Sequence, residues 1–201
     1  MRRVQISSLE IPRKWYNVIP DLPEKLPMPK DPEEGESRIK RLPRILLKEV
    51  LKQEFSEERW VKIPNELLEL YAKAGRPRPL FRATGLESFL KTPARLYYKS
   101  EFFSPTGSHK VNTALAQAYY ARKEGKERIT TETGAGQWGS ALAYAASLMG
   151  IKCTVYWVRA AYDIKPERLV LMKLYGSEVY ASPSNRTRSG SELYRKDSAH
   201  P

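Results

Sequence analysis

Cysteine is almost missing from this chain: Cys153 is the single one in 201 residues. That excludes an internal disulfide framework and fits a reducing compartment. The residue falls in the apolar run Cys153-Thr154-Val155-Tyr156-Trp157-Val158, which predicts a buried strand position and not a reactive thiol. Histidine is as scarce, with only His109 and His200, too few with one cysteine to assemble a zinc site. No apolar run approaches membrane-spanning length, and the basic start Met1-Arg2-Arg3-Val4-Gln5 has no apolar segment behind it, which argues against a secretory signal. A dense basic stripe is lacking too. The net charge of +12 is spread over 35 basic residues interleaved with 23 acidic ones, so neither nucleic acid nor membrane is expected as a partner. The expectation is a soluble, cytoplasmic chain.

What is present is unevenly arranged. Twelve of the fifteen prolines precede residue 106, and residues 11–35 read as an extended, proline-broken arm containing Trp15-Tyr16. Helical spacing follows in Ile45-Leu46-Leu47…Val50-Leu51 and in Leu67-Leu68…Tyr71-Ala72, the second helix capped by Asn65 and stopped at Gly75. Arg76-Pro77-Arg78-Pro79-Leu80 reads as a loop. From residue 94 the pattern becomes strand–loop–helix. Strands are expected at residues 95–99, 129–132, 153–158 and 178–180, with helices at 110–122, 140–149 and 166–174. That alternation predicts parallel twisted sheets flanked by helices, an α/β fold. Residues 1–75 then form a proline-rich arm with helices, and residues 76–201 an α/β region. The last strand is followed only by a polar loop, where a parallel sheet calls for a covering helix, so the sequence looks cut off.

Two loop-to-helix junctions could do chemistry: Ser104-Pro105-Thr106-Gly107-Ser108-His109-Lys110, and Thr131-Glu132-Thr133-Gly134-Ala135-Gly136-Gln137-Trp138-Gly139. Both are expected at the carboxyl ends of parallel strands, where open α/β sheets bind ligands, and both feed helix N-termini that attract phosphate or carboxylate. An amine in such a positive field is biased toward the neutral form that Schiff-base chemistry requires. Alone, Lys110 reads as a solvated lysine beginning a helix; His109 is a phosphate donor or a helix-start polar residue, and Asn112 a cofactor-orienting group or a local backbone partner. Glu132, at a strand end, is a general acid or base if desolvated and otherwise a carboxylate in water. The Gly134-Ala135-Gly136-Gln137 segment permits close backbone approach. Its likeness to a dinucleotide fingerprint fails for want of a distal acidic residue and because Trp138 would crowd a pyrophosphate.

Taken together, Arg76-Pro77-x-Pro79-Leu80, Lys99-x-Glu101, Gly107-Ser108-His109-Lys110-x-Asn112, Thr131-Glu132-Thr133-Gly134-Ala135-Gly136-Gln137, Lys165-Pro166-Glu167-Arg168-x-x-x-Met172 and Leu174-x-Gly176-Ser177-Glu178-Val179 resemble the tryptophan synthase β chain. Trp15-Tyr16-Asn17 and Trp138 resemble its second, longer-armed type. The resemblance implies a fold-type II enzyme with pyridoxal 5′-phosphate on Lys110 as a Schiff base and His109 at the cofactor phosphate. Asn112 and Gln137 would help hold the cofactor. It implies Glu132 as the acid–base group for loss of the serine hydroxyl, and Thr133, Gly134, Ala135, Gly136 and Gln137 as the carboxylate loop. The implied reaction joins L-serine and indole into L-tryptophan and water, in a homodimer with an α chain as a further partner. The family is much longer and carries the phosphate-cradling glycine loop and the pyridine-nitrogen partner beyond these residues. Its C-terminal half is also expected to supply partners for the strand near residues 96–99. These residues alone are therefore expected to bind the cofactor poorly and turn over little. A serine or threonine dehydratase, or threonine synthase, is the alternative on the same fold; a non-catalytic, partner-binding fragment is the alternative of another class.

Overall fold

The computed structural model describes residues 2–4, 11–24, 26, 27, 30, 31 and 36–197; His200 and Pro201 lie outside them. In chain order the first half comprises β1 (Arg2–Val4), β2 (Lys14–Tyr16), α1 (Arg38–Ile45), α2 (Lys48–Glu54), β3 (Trp60–Lys62), α3 (Asn65–Lys73), β4 (Leu80–Arg82), α4 (Thr84–Phe89) and β5 (Tyr97–Lys99). The second half comprises α5 (Lys110–Lys123), β6 (Arg128–Thr133), α6 (Gln137–Met149), β7 (Lys152–Val158), α7 (Arg159–Ile164), α8 (Pro166–Leu174), β8 (Glu178–Ser182) and α9 (Arg188–Lys196).

The second half follows the expected alternation. Strands β6, β7 and β8 lie in that order in a parallel sheet, with Ile129 beside Cys153 and Val155 beside Val179. Cys153 is buried, as its apolar run predicts, and burial pushes its thiol above the ordinary range. Ala114, Leu115, Ala118 and Tyr119 share the buried face of α5, which packs along α6 through Ala141 and Ala145. Small side chains let the two backbones approach closely. Leu115, fully buried, contributes roughly 2 kcal/mol of burial energy.

Several expectations need correction. The strand at residues 97–99 is not part of a parallel sheet: β5 pairs antiparallel with β4, which pairs antiparallel with β1. Both of those partners lie within this chain. The first predicted helix is two, because Leu46 and Leu47 turn extended between α1 and α2. Asn65 is the first residue of α3 and caps nothing; Pro64 precedes it, and Gly75 closes the segment at φ +84°. A helix does follow the last strand: α9, capped by Thr187, whose side chain accepts from the Gly190 N–H at 3.1 Å. The arm strand β2 pairs with β3, far away in sequence. Helix α3 joins the main core through Leu67, Leu70 and Tyr71.

Candidate active site

Lys110 opens α5, and the turn before it is built from hydroxyls. Ser104 Oγ donates to the Ser108 carbonyl at 2.9 Å and accepts the Ser108 N–H at 2.7 Å, both residues being buried. Ser108 Oγ in turn accepts the Lys110 N–H at 3.3 Å. Short hydroxyl side chains favour such local bonds over helix continuation, which is why the helix starts here and not earlier. Lys110 is half-buried and His109 exposed. Among the described residues no carboxylate lies within ion-pair distance of the Lys110 amine. The loop follows β5 and a 3₁₀ turn at Glu101–Phe103, so it leaves an antiparallel sheet and not the parallel one expected.

Asn112 points elsewhere. Two residues apart on a helix, Lys110 and Asn112 diverge by about 200°. The Asn112 Nδ2 donates to Glu101 Oε1 at 3.4 Å, and Glu101 Oε2 accepts from Arg78 Nε at 3.2 Å. Asn112 also borders a cavity of about 540 Å³ shared with Trp15, Tyr71 and Arg76.

The second loop sits where the sequence places it, between the carboxyl end of β6 and the start of α6. Gly136 has φ +91°. A Cβ there would come within 2.7 Å of the Trp157 ring, so only glycine suits both the backbone and the neighbour. The fully buried Trp157 donates its Nε1–H to the Gly134 carbonyl at 2.8 Å. Thr133 is buried and its Oγ1 accepts the Gly139 N–H at 3.2 Å. Gly134 and Ala135 are exposed, Gln137 is half-buried, and no side chain caps α6. Thr133 takes the Gly139 amide, so the Gln137 and Trp138 amides are the ones presented to the loop, the arrangement that attracts a carboxylate or phosphate. Glu132 is exposed, one residue before the loop; Trp138 donates to Thr131 Oγ1 at 2.7 Å.

Thus the structure brings His109 to Lys110, and Thr133 through Gln137 to one helix start. Among the described residues no hydrogen bond or ion pair joins Lys110 to Glu132. Tyr175 ties the first loop to the body of α6: its hydroxyl donates to the Pro105 carbonyl at 3.2 Å while its ring meets that of Tyr144 edge-on at 5.3 Å. Sequence reasoning missed Arg78, Trp157 and Tyr175. A tryptophan within an apolar strand hints at a packing anchor, but nothing local marks the other two.

A half-buried amine free of carboxylates, behind a loop whose Thr106 hydroxyl is buried without a partner among the described residues, fits a carbonyl cofactor bearing polar groups. The chain belongs to the family of pyridoxal-phosphate dependent enzymes, which matches residues 71–200. Among individual proteins, it is similar to tryptophan synthase β chain 2 of Methanothermobacter thermautotrophicus, 58% identical over the whole of this chain and 47% of the relative. It is also similar to the tryptophan synthase β chain of Pyrococcus horikoshii, 60% identical over 96% of this chain and 42% of that one. Tryptophan synthase β chain 2 of Pyrococcus furiosus is 56% identical over 99% and 45%. The chain therefore spans less than half the length of these relatives. A solved pyridoxal 5′-phosphate-dependent aspartate racemase shares the fold, with a TM-score of 0.50, 24% identity, and coverage of 68% of this chain and 45% of that one. Among the described residues no group of side chains is arranged to hold a metal ion, and no helix is long and apolar enough to cross a membrane.

Proposed function

We propose that this chain carries the lysine-bearing part of a tryptophan synthase β active site, which joins L-serine and indole into L-tryptophan and water. The observation that carries the reading is the 58% identity extending over all 201 residues, with Lys110 presented as a carboxylate-free amine at a helix start. Bound there, pyridoxal 5′-phosphate supplies an electron sink for the amino acid's Cα. Lys110 Nζ is the base that takes the Cα proton of serine and returns one to the product. His109, exposed beside it, holds a phosphate oxygen. The Thr133–Gln137 loop, with the Gln137 and Trp138 amides of α6 behind it, holds the amino-acid carboxylate, and Gln137 orients the neighbouring groups; Asn112, turned toward Glu101, acts only through the helix. Glu132 carries the proton that leaves with the serine hydroxyl as water and then faces the incoming indole. A cytoplasmic homodimer, with an α chain as a possible source of indole, completes the reading.

The test is a chimera in which these residues replace the matching part of the Pyrococcus furiosus relative. Tryptophan formation that requires indole, and that falls at least about a thousandfold in Lys110→Ala, supports the proposal. Pyruvate release from serine regardless of indole sinks it in favour of a dehydratase.

A further inference from the structure

Arg78 is the most deeply buried charge described, with 1% of its side chain exposed. It is not on the functional loops at all, but between α3 and β4 among prolines. Its Nη1 donates to the Ala74 carbonyl and its Nε to Glu101, whose side chain is 27% exposed. A guanidinium removed from water costs several kcal/mol unless a carboxylate compensates it, and stripping one partner from such a pair is worse than removing both. Glu101 is therefore held by Arg78. Its other oxygen accepts from Asn112 in the first turn of α5.

The helix geometry gives this contact a direction. Asn112 is drawn toward Glu101, and Lys110, about 200° around the same turn, is aimed away from it. Two buried atoms, Arg78 Nη2 and Asn112 Oδ1, flank the carboxylate without partners among the described residues. Among the described residues Glu101 is the group that joins Arg78 to Asn112, while the Ala74 carbonyl holds Arg78 from the other side.

We propose that Glu101, clamped by Arg78, is a positioning residue that sets the rotation of the first turn of α5 and so the presentation of the Lys110 amine. The role toward the cofactor rests on the function proposed above; the effect on the helix does not. Hydrogen bonding is separable from buried charge by working in an Arg78→Met background. There, Glu101→Gln keeps an oxygen for Asn112, whereas Glu101→Leu keeps the volume and loses the bond.

Two readouts on the chimera described above, as parent and variants, decide it. The first is amide hydrogen exchange in the first turn of α5, with α6 as internal reference. The second is borohydride trapping of pyridoxal 5′-phosphate on Lys110, read by peptide mass spectrometry against Lys126 and Lys152. The Gln double variant, which keeps an acceptor for Asn112 without the Arg78 clamp, is expected to fall between the parent and the Leu double variant in both. The Leu double variant is expected to exchange about tenfold faster in that turn and to lose about tenfold of the Lys110 preference, as for one lost buried hydrogen bond. Equal behaviour of Gln and Leu, in either direction, overturns the proposal. Should the Leu variant lose its helical signal, Asn112→Ala removes the same bond from a half-exposed side chain and is expected to reproduce both effects; parent-like exchange there overturns it equally. A parent chimera with no trapping preference for Lys110, but with the expected exchange pattern, counts against the cofactor reading and leaves the positioning role standing.

Discussion

The two loops that begin α5 and α6 look alike in sequence, each a short polar, glycine-containing stretch ahead of a helix, yet they are held by different balances of polar bonds and packing. The Lys110 loop leaves a short antiparallel sheet and is fastened by hydroxyls and a carboxylate: Ser104, Ser108 and, beyond it, Glu101 with Arg78. The Thr133–Gly136 loop leaves a six-residue parallel strand and rests on an apolar wall, Trp157, which donates to the Gly134 carbonyl, with the Thr133 and Ser140 hydroxyls tying it to the start of α6. Polar fastening fixes a direction and is sensitive to each atom. Packing fixes a shape and is sensitive to volume. A loop that aims one reactive amine suits the first, and a loop that shapes a pocket of backbone amides suits the second.

The comparison can be broken most forcefully at Trp157. Trp157→Ala should cost about 3–5 kcal/mol in urea unfolding, because it removes the largest fully buried side chain and leaves a cavity under the second loop; a loss under about 1 kcal/mol would mean the wall is not what holds it. Gly136→Ala comes next, at about 2–4 kcal/mol, since φ +91° is combined with a Cβ 2.7 Å from the Trp157 ring and 2.9 Å from Arg168 Cδ. Pairing it with Trp157→Phe should recover part of that cost. Ser104→Ala, on the polar side, should cost about 1–2 kcal/mol by stranding the buried Ser108 N–H, and should speed hydrogen exchange at Ser108 and Lys110 while leaving α6 unchanged.

The smallest effect is one of pH. Tyr71, on α3 behind the first loop, has its phenol raised by burial to about 12. The folded chain thus holds that proton more tightly than the unfolded one. Its contribution is complete below pH 10 and declines as pH rises through about 12. Tyr71→Phe should flatten the fall in stability between pH 10 and 11, measured by urea unfolding.

Much of the second half was legible because its elements are local. The apolar periods of α5 and α8 and the runs of β6 and β7 lie within short windows and form where expected, whereas α6 starts at Gln137, three residues ahead of the expected Ser140. Strands β1, β2, β3 and β4 were not legible, being three residues long and defined by partners far along the chain. α9 was read as a polar loop because its mostly polar sequence carries almost no apolar stripe, Leu193 being its lone aliphatic. Lys110 and the second loop were found from their motifs. Arg78 was overlooked because a basic residue between prolines reads as solvated, and only the fold reveals that the chain buries it.

The bond from Tyr175 to Pro105 places an unequal burden on its two ends. Its acceptor is a main-chain carbonyl, which every amino acid carries, so the position before Thr106 is free to vary as long as the turn is kept. Its donor is a hydroxyl at the tip of a long rigid ring, which no other side chain reproduces. Random mutagenesis selected for an intact Lys110 loop should therefore recover many substitutions at Pro105 and hardly any at Tyr175, so that a constraint on the Lys110 loop would be recorded 65 positions downstream of Lys110.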